Sequence, residues 1–253
     1  GTTSTAYGAT GSRSVAMGYQ AKATGLYAFA LGANSVSTGQ ESFAIGKSLA
    51  SGTESFAANV DTNSTSYGAS GTNSVAIGKY AKATGNDSFA AGGNSPAATS
   101  QKAVAIGSYA QASGLGSLAL STEVSGYYTT ASGEQAIAIG NRVVASGSSS
   151  VAIGTLSTAS HANSIALGKD ITSTADSEIS IGGTTQDVRI SETYTLPKVD
   201  GSANQVLTTD GSGAVSWAAA GGGGGADLYS ANESSPTAQP SATGTNAIAI
   251  GDS

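Results

Sequence analysis

The chain has 253 residues, among them 36 Gly, 4 Pro, 1 His and no Cys, and its 16 acidic and 10 basic residues leave a net charge of −6. The lack of cysteine excludes disulfides and thiol chemistry, and a single His removes most metal and acid–base sites. A weakly acidic chain with few charges lacks the basic surface of a nucleic-acid binder. No apolar run approaches the roughly 18 residues that a membrane-spanning helix needs.

Large apolar residues are scarce but strictly periodic. Val, Ile, Leu and Phe together make up about 16% of the chain, a share typical of disorder only when the net charge is high. They recur in one five-residue box of the pattern small, large, Ala, large, Gly, first seen at Ser14-Val15-Ala16-Met17-Gly18. The boxes and their degenerate copies follow a 14-residue period for most of the chain, and they end at positions 18, 32, 46, 59, 78, 92, 107, 121, 140, 154, 168 and 182.

This pattern predicts an all-β fold, a parallel β-solenoid of 14-residue turns over residues 1–182. Alternation over five residues is the periodicity of a strand, and Gly at each box end gives the backbone freedom that a tight corner needs. A second element between boxes, Ala-x-Ala-Thr/Ser-Gly, supplies another short strand. We expect the large pair of each box to pack inward against columns such as Ala21 and Ala23, and the box alanines such as Ala16 to face outward.

Two 19-residue steps interrupt the period, near residues 60–71 and 122–133. Each indicates a five-residue excursion from the coil, and insertions in a solenoid often carry ligand contacts. A single coil with so few large apolar side chains buries too little apolar surface to offset the conformational entropy that the chain loses on folding. We therefore expect several chains to associate along the rod axis, although these residues do not fix their number.

The boxes resemble the head repeat of trimeric autotransporter adhesins, the YadA-like head. Asn73-Ser74-Val75-Ala76-Ile77-Gly78 matches that family's motif letter for letter, and the resemblance covers about residues 5–182 and 246–251. It implies a left-handed parallel β-roll, a homotrimeric fibre and display outside a cell or particle. Collagen-type binding in the family has been tied to Asn-Ser-Val-Ala-Ile-Gly-x-x-Ser, and Ala81 stands here where that motif ends in Ser.

Six residues are predicted to contact a ligand, three from the motif region and three from the excursions: Asn73, Ser74, Lys79, Tyr67, Tyr127 and Tyr128. We expect no catalytic residue, no cofactor and no metal. A polysaccharide-degrading tailspike would need paired carboxylates in a groove, and the acidic residues here are scattered singly.

The pattern changes after residue 182. Residues 183–217 are predicted to form a small connector, in which the alternating runs 205–209 and 214–217 make a β-hairpin. Residues 218–243 are predicted to be a linker rich in Gly, Ser and Pro, and residues 244–253 to begin a further head repeat. Segment 194–217 resembles a module of phage tail fibres. Because the chain starts and stops inside a repeat, we expect it to be a window onto a longer fibre.

Together these features predict a non-enzymatic extracellular fibre that acts as a rigid spacer and attachment surface. Its expected partners are further copies of itself and a receptor on a host cell or matrix, protein or glycan, with no nucleic acid and no direct membrane insertion. We predict a phage tail or virion fibre, with a bacterial cell-surface adhesin or filament of the autotransporter type as the alternative. The virion fibre is favoured by segment 194–217 and because no match to the neck motif that closes the heads of that family follows residue 182. The abundance of such heads in bacterial cell-surface adhesins favours the alternative.

Overall fold

A computed structural model describes residues 7–61, 66–122, 126–183, 185–190 and 194–220, and all regular structure within these ranges is β. The chain divides after Val188 into two compact units. In the first unit, an 11-stranded sheet, which we call the polar sheet, contains β1 (Gly8–Ala9), β3 (Lys22–Ala23), β5 (Val36–Ser37), β7 (Leu49–Ala50), β9 (Gly68–Ala69), β11 (Lys82–Ala83), β13 (Ala97–Ala98), β15 (Ala110–Ala112), β17 (Thr129–Ala131), β19 (Val144–Ala145) and β21 (Thr158–Ala159).

A second sheet of 12 strands, the apolar sheet, is built from the boxes themselves. Its strands are β2 (Val15–Met17), β4 (Phe29–Leu31), β6 (Phe43–Ile45), β8 (Phe56–Ala58), β10 (Val75–Ile77), β12 (Phe89–Ala91), β14 (Val104–Ile106), β16 (Leu118–Ser121), β18 (Ile137–Asn141), β20 (Val151–Thr155), β22 (Ile165–Lys169) and β23 (Ile179–Ile181).

Each strand pairs in parallel with its equivalent in the next turn. Val15 lies opposite Phe29, which is one regular 14-residue turn further along the chain. Phe56 lies opposite Val75, and this 19-residue interval is longer because the first excursion intervenes. The predicted β-solenoid and its period are therefore confirmed. At about 4.8 Å per paired strand, the twelve strands span about 53 Å.

The interior between the two sheets is filled by small side chains. The box alanines from Ala30 to Ala166 are fully buried, and so are Ala23 and its equivalents from Ser37 to Ala159 in the polar sheet. The equivalent Ala9 in the first turn is exposed. Val15 and Met17, in contrast, are 38% and 57% exposed. The prediction that the large pair packs inward is thus wrong. Two short strands joined by tight corners leave space for Ala and Ser only, so a larger side chain fits outside.

A few interior positions depart from this rule. Val60 and Val143 are the largest side chains that are fully buried, and Ile171 is 4% exposed. Elsewhere in the described turns the interior repeats nearly the same small residues, so that successive turns are close to interchangeable.

Corner glycines allow neighbouring turns to touch through their backbones. A Cβ atom added to Gly133 would lie 2.0 Å from the carbonyl oxygen of Gly147 in the next turn. The equivalent position is held by Ser100 and His161 in two turns. Their side chains bond to the next turn, since Ser100 Oγ donates to the Ser113 carbonyl and His161 Nδ1 lies 3.1 Å from the Ser173 oxygen.

Buried serines at the start of the boxes brace the same corners. Ser42 Oγ donates to the carbonyl of Gly39 at 2.7 Å, and Ser74 Oγ donates to that of Gly71 at 2.6 Å. The buried hydroxyls of Ser117 and Ser150 have no hydrogen-bond partner among the described residues. The same small side chain therefore closes the corner in some turns and only fills space in others.

The last box begins with Glu178 in place of a small residue. Hydrogen bonds from the Ser180 hydroxyl, and then from the backbone and hydroxyl of Thr174 and the Ala175 amide, lower the pKa of the Glu178 carboxyl to about 2. The ionised carboxylate thus holds together the corner at the end of the apolar sheet.

The two strand pairs of the second unit are antiparallel. Strands β24 (Arg189–Ile190) and β25 (Tyr194–Thr195) form a short pair, and β26 (Gln205–Thr209) and β27 (Val215–Ala219) form the predicted hairpin, which is confirmed. Trp217 on β27 donates its indole Nε1–H to the Val199 carbonyl at 2.8 Å. Residues 218 and 219, which were predicted to begin the linker, belong to β27. The rest of the predicted linker after residue 220 and the predicted repeat at 244–253 lie outside the described residues.

Candidate functional site

One face of the solenoid is an unbroken apolar surface. It is formed by the outward side chains of the apolar sheet, and we call it the apolar face. Registered pairing stacks these side chains in two columns. The first contains Val15, Phe29, Phe43, Phe56, Val75, Phe89, Val104, Leu118, Ile137, Val151, Ile165 and Ile179, and the second contains Met17, Leu31, Ile45, Ala58, Ile77, Ala91, Ile106, Leu120, Ile139, Ile153, Leu167 and Ile181.

The apolar face is larger than a chance cluster of exposed residues. Positions two apart on a strand are about 7 Å apart, so the two columns form one continuous strip about 53 Å long, whereas exposed apolar residues on a protein surface are usually scattered singly. Within it the Phe29, Phe43 and Phe56 rings pack edge to face, with centroids 4.8 and 5.6 Å apart. Ile77 and Ile106 remain 37% and 41% exposed in the single chain.

A groove of about 310 Å³ lies on the polar sheet, on the opposite side of the coil. We call it the tyrosine groove. Tyr67 and Tyr80 line one end and Tyr128 lines the other. Between these walls the outward residues of three strands and their flanks form the floor: Lys82, Ser95, Ala97, Thr99, Gln111 and Ser113. The excursions place the walls, because Tyr67 immediately precedes β9 and Tyr128 immediately precedes β17.

The rings of the groove are braced by neighbouring side chains. The centroids of Tyr67 and Tyr80 are 5.2 Å apart, and Tyr128 packs edge to face on Tyr109 at 5.7 Å. Lys79 Nζ lies 5.2 Å from the Tyr80 centroid and 4.0 Å from a carboxylate oxygen of Asp61. Lys82 is the one charged residue among those that line the groove, so its local field favours an anion.

The structure separates the six predicted ligand-contacting residues. Tyr67 and Tyr128 line the groove and Lys79 lies beside it. Tyr127 packs instead against Arg142, whose guanidinium carbon lies 3.9 Å from the centroid of the Tyr127 ring. Asn73 lies in the corner before β10, where its Nδ2 donates to Asp87 Oδ1 at 3.2 Å. Ser74 is fully buried and bonded to the backbone, so a ligand cannot reach it, and its inclusion in the predicted set is wrong.

Sequence reasoning missed the floor of the groove. The sequence marks the floor by a change of residue type within the repeat. Ala97 and Gln111 occupy the positions that hold Val36 and Leu49 four turns earlier. This change becomes visible only after the register of the polar sheet is known.

In the described part of the chain, no group of three or more His, Asp or Glu side chains could hold a metal ion, and no helix is long and apolar enough to cross a membrane.

The fold and the two surfaces define a class of protein, a repetitive β-solenoid with one apolar face and a grooved polar face. A family model described as the YadA head domain repeat (2 copies) matches residues 9–35, 23–48, 69–95, 98–120, 125–142, 145–170 and 241–253, more than half of the chain. The chain therefore belongs to the family of YadA-like head repeats of trimeric autotransporter adhesins and is a surface protein of the adhesin type.

A search of curated proteins finds no match. The family match supports the bacterial-surface alternative and gives no support to the virion fibre, which was the favoured prediction from the sequence.

Proposed function

We propose that this chain forms part of the head of a bacterial cell-surface adhesin, in which three copies associate through the apolar face. The observation that carries the proposal is that two registered columns of large apolar side chains point away from a filled interior. Burying them removes apolar area from water at about 25 cal/mol per Å². The number three comes from the family, whose members are trimeric adhesins.

The mechanical role rests on the direction of the hydrogen bonds. The Val15 amide donates to the Ala28 carbonyl and the Val75 amide donates to that of Ser88, both at 2.9 Å, and such bonds between turns recur along the unit. They run along the stacking axis, so stretching the rod must break many of them. We infer a stiff extension that holds attachment surfaces away from the cell, without chemical catalysis.

The assembly is tested by placing charge on the apolar face. The double variant Ile77→Asp/Ile106→Asp changes two side chains that are already partly exposed, so one coil tolerates it, whereas a buried interface does not. Ser132→Asp adds the same group to an exposed position beside the polar sheet and is the matched control.

Sedimentation equilibrium of the full chain gives the answer. We expect about 73 kDa, three times the 24.3 kDa chain, for the parent protein and the control, and a smaller mass for the double variant. A monomeric parent protein at micromolar concentration, or a double variant with unchanged mass, would contradict assembly through this face.

Attachment is tested separately with beads that carry the trimeric chain. We expect these beads to adhere to epithelial cells or to surfaces coated with collagen, fibronectin, laminin or mucin, and beads with the double variant to adhere poorly. Absence of adherence to every one of these surfaces, from a protein shown to be trimeric, would overturn the adhesin role.

A further inference from the structure

We propose that the tyrosine groove binds an acidic oligosaccharide. This inference rests on the proposed function in one respect, because the groove lies on the sheet opposite the apolar face and so stays open when three chains associate there. Nothing in the family match assigns a ligand to this surface.

The shape suits an extended chain molecule. The walls stand at β9 and β17, with β11, β13 and β15 between them, so the two ends are four strand spacings, about 19 Å, apart. A single sugar would fill only part of this length, and a short oligosaccharide fills it. The wall rings are held by their neighbours, so little ordering is needed on binding.

The chemistry suits a sugar rather than a peptide. Pyranose rings present a C–H face that packs on tyrosine and hydroxyl groups that exchange hydrogen bonds with Thr99 and the Gln111 amide at the floor. An extended peptide binds a sheet chiefly by adding a strand at a free edge. Here each floor strand is paired on both sides, so no edge is available. Lys82 then selects a carboxylate on the sugar.

The groove is a specific feature and not a consequence of the repeat. The preceding interval, between Tyr7 and Tyr67, has the same strand pattern, and Lys22 there corresponds to Lys82. Its floor carries Val36 and Leu49, the latter only 7% exposed, where the groove has smaller Ala97 and polar Gln111.

The decisive variant copies the earlier floor into the groove. Ala97→Val/Gln111→Leu fills it with side chains that the same fold accepts four turns earlier, so the coil should fold normally. Tyr128→Ala removes a wall ring that is 46% exposed, and Tyr7→Ala removes the corresponding exposed ring outside the groove. Lys82→Gln and Lys22→Gln are the matched pair for charge.

Binding is measured by calorimetry on the trimeric full chain. The probes are hexasaccharides of galacturonate, alginate and hyaluronan, the methyl-esterified galacturonate hexamer as the uncharged match, and a collagen-type triple-helical peptide. We expect at least one acidic hexasaccharide to bind the parent protein. The fill variant and Tyr128→Ala should weaken that binding about tenfold or more, Lys82→Gln should remove the preference for charge, and Tyr7→Ala and Lys22→Gln should change neither.

Three results would overturn the proposal: no binding of any acidic probe, binding that the fill variant leaves unchanged, or binding of the peptide alone at the groove. Equal affinity for the charged and esterified galacturonate hexamers would overturn the role of Lys82. Sedimentation of the same samples distinguishes these results from a failure of the proposed assembly, because a trimer without sugar affinity contradicts only the groove.

Discussion

Gly133→Ala tests whether the contact between turns sets the stability of the solenoid. The added Cβ would lie 2.0 Å from the Gly147 carbonyl oxygen and 2.6 Å from its carbon, whereas ordinary contacts begin at 3.4 Å. To restore an ordinary contact, the two turns must separate locally by about 1.4 Å. Turns spaced at about 4.8 Å cannot do so and keep their bonds.

The cost follows from the bonds beside this contact. The Ser132 and Gly133 amides both donate to the Ala145 carbonyl, at 2.9 and 3.3 Å, and the required separation takes both beyond hydrogen-bond range. Two lost bonds at about 1 kcal/mol each, together with about 1–2 kcal/mol of overpacking strain, give a loss of about 3–4 kcal/mol. The turns that carry Ser100 and His161 set an upper limit on this loss of stability, because there the backbone accommodates a Cβ atom and the side chain bonds to the next turn.

Gly93→Ala is the matched control. Its added Cβ would meet nothing nearer than the Ser108 hydroxyl at 4.0 Å, so only the unfolded chain is affected and stability should rise by about 0.4–1 kcal/mol. Far-UV circular dichroism at equal protein concentrations should show Gly133→Ala melting roughly 5–15 °C lower. Hydrogen exchange should localise the loss to the turns around residues 131–147.

Equal melting temperatures for Gly133→Ala and Gly93→Ala would refute this reasoning. So would a loss of amide protection spread evenly along the solenoid, because contacts between neighbouring turns predict a local defect.

Three further outcomes are expected. Ser74→Ala should cost about 0.5–1.5 kcal/mol by thermal melting because a buried hydrogen bond is lost, while Ser150→Ala should be neutral or stabilising because its hydroxyl has no described partner; the reverse order would contradict the corner-bracing role. Because the pKa of the Glu178 carboxyl is lowered in the folded chain, its contribution to stability is present above about pH 4.5 and is lost as the pH falls toward 2. The melting temperature of the Glu178→Gln variant should therefore fall less between these pH values than that of the parent protein. An equal fall in both proteins would contradict this role of Glu178. Ala76→Leu should destabilise the chain by about 1–3 kcal/mol by overpacking the interior, whereas Ile77→Leu on the outside should change its melting temperature little.

The period, the strands and the hairpin could be predicted from the sequence because each has a local cause. Alternation places side chains on two faces, and Gly opens the corners, so the boxes alone define the turns. The orientation of the boxes could not be predicted by the rule that large residues go inside. The better indicator was uniformity of size, since the central Ala hardly varies while its neighbours range from Val15 to Phe29.

The candidate site was predictable only in part. Tyr67 and Tyr128 could be found because they mark the two excursions in the period. Lys82 and Gln111 could not, because the residues of the floor come together only when the strands of successive turns are stacked in register. Ser74 was included because it belongs to the motif associated with ligand binding in the family, whereas a tight corner uses its hydroxyl internally.

The near-uniform interior carries a hazard for folding. Because its turns share the same small core residues, the stack can pair with its register shifted by one full turn and still bury alanine against alanine. Register is weakly specified wherever the alternatives fit equally well. Val60 and Val143, together with the 19-residue spacings, break that equivalence at intervals. At these irregular turns a shifted register would pack residues of unequal size or pair strands separated by the wrong loop length. They therefore destabilise a misaligned stack before the shift can propagate along the solenoid.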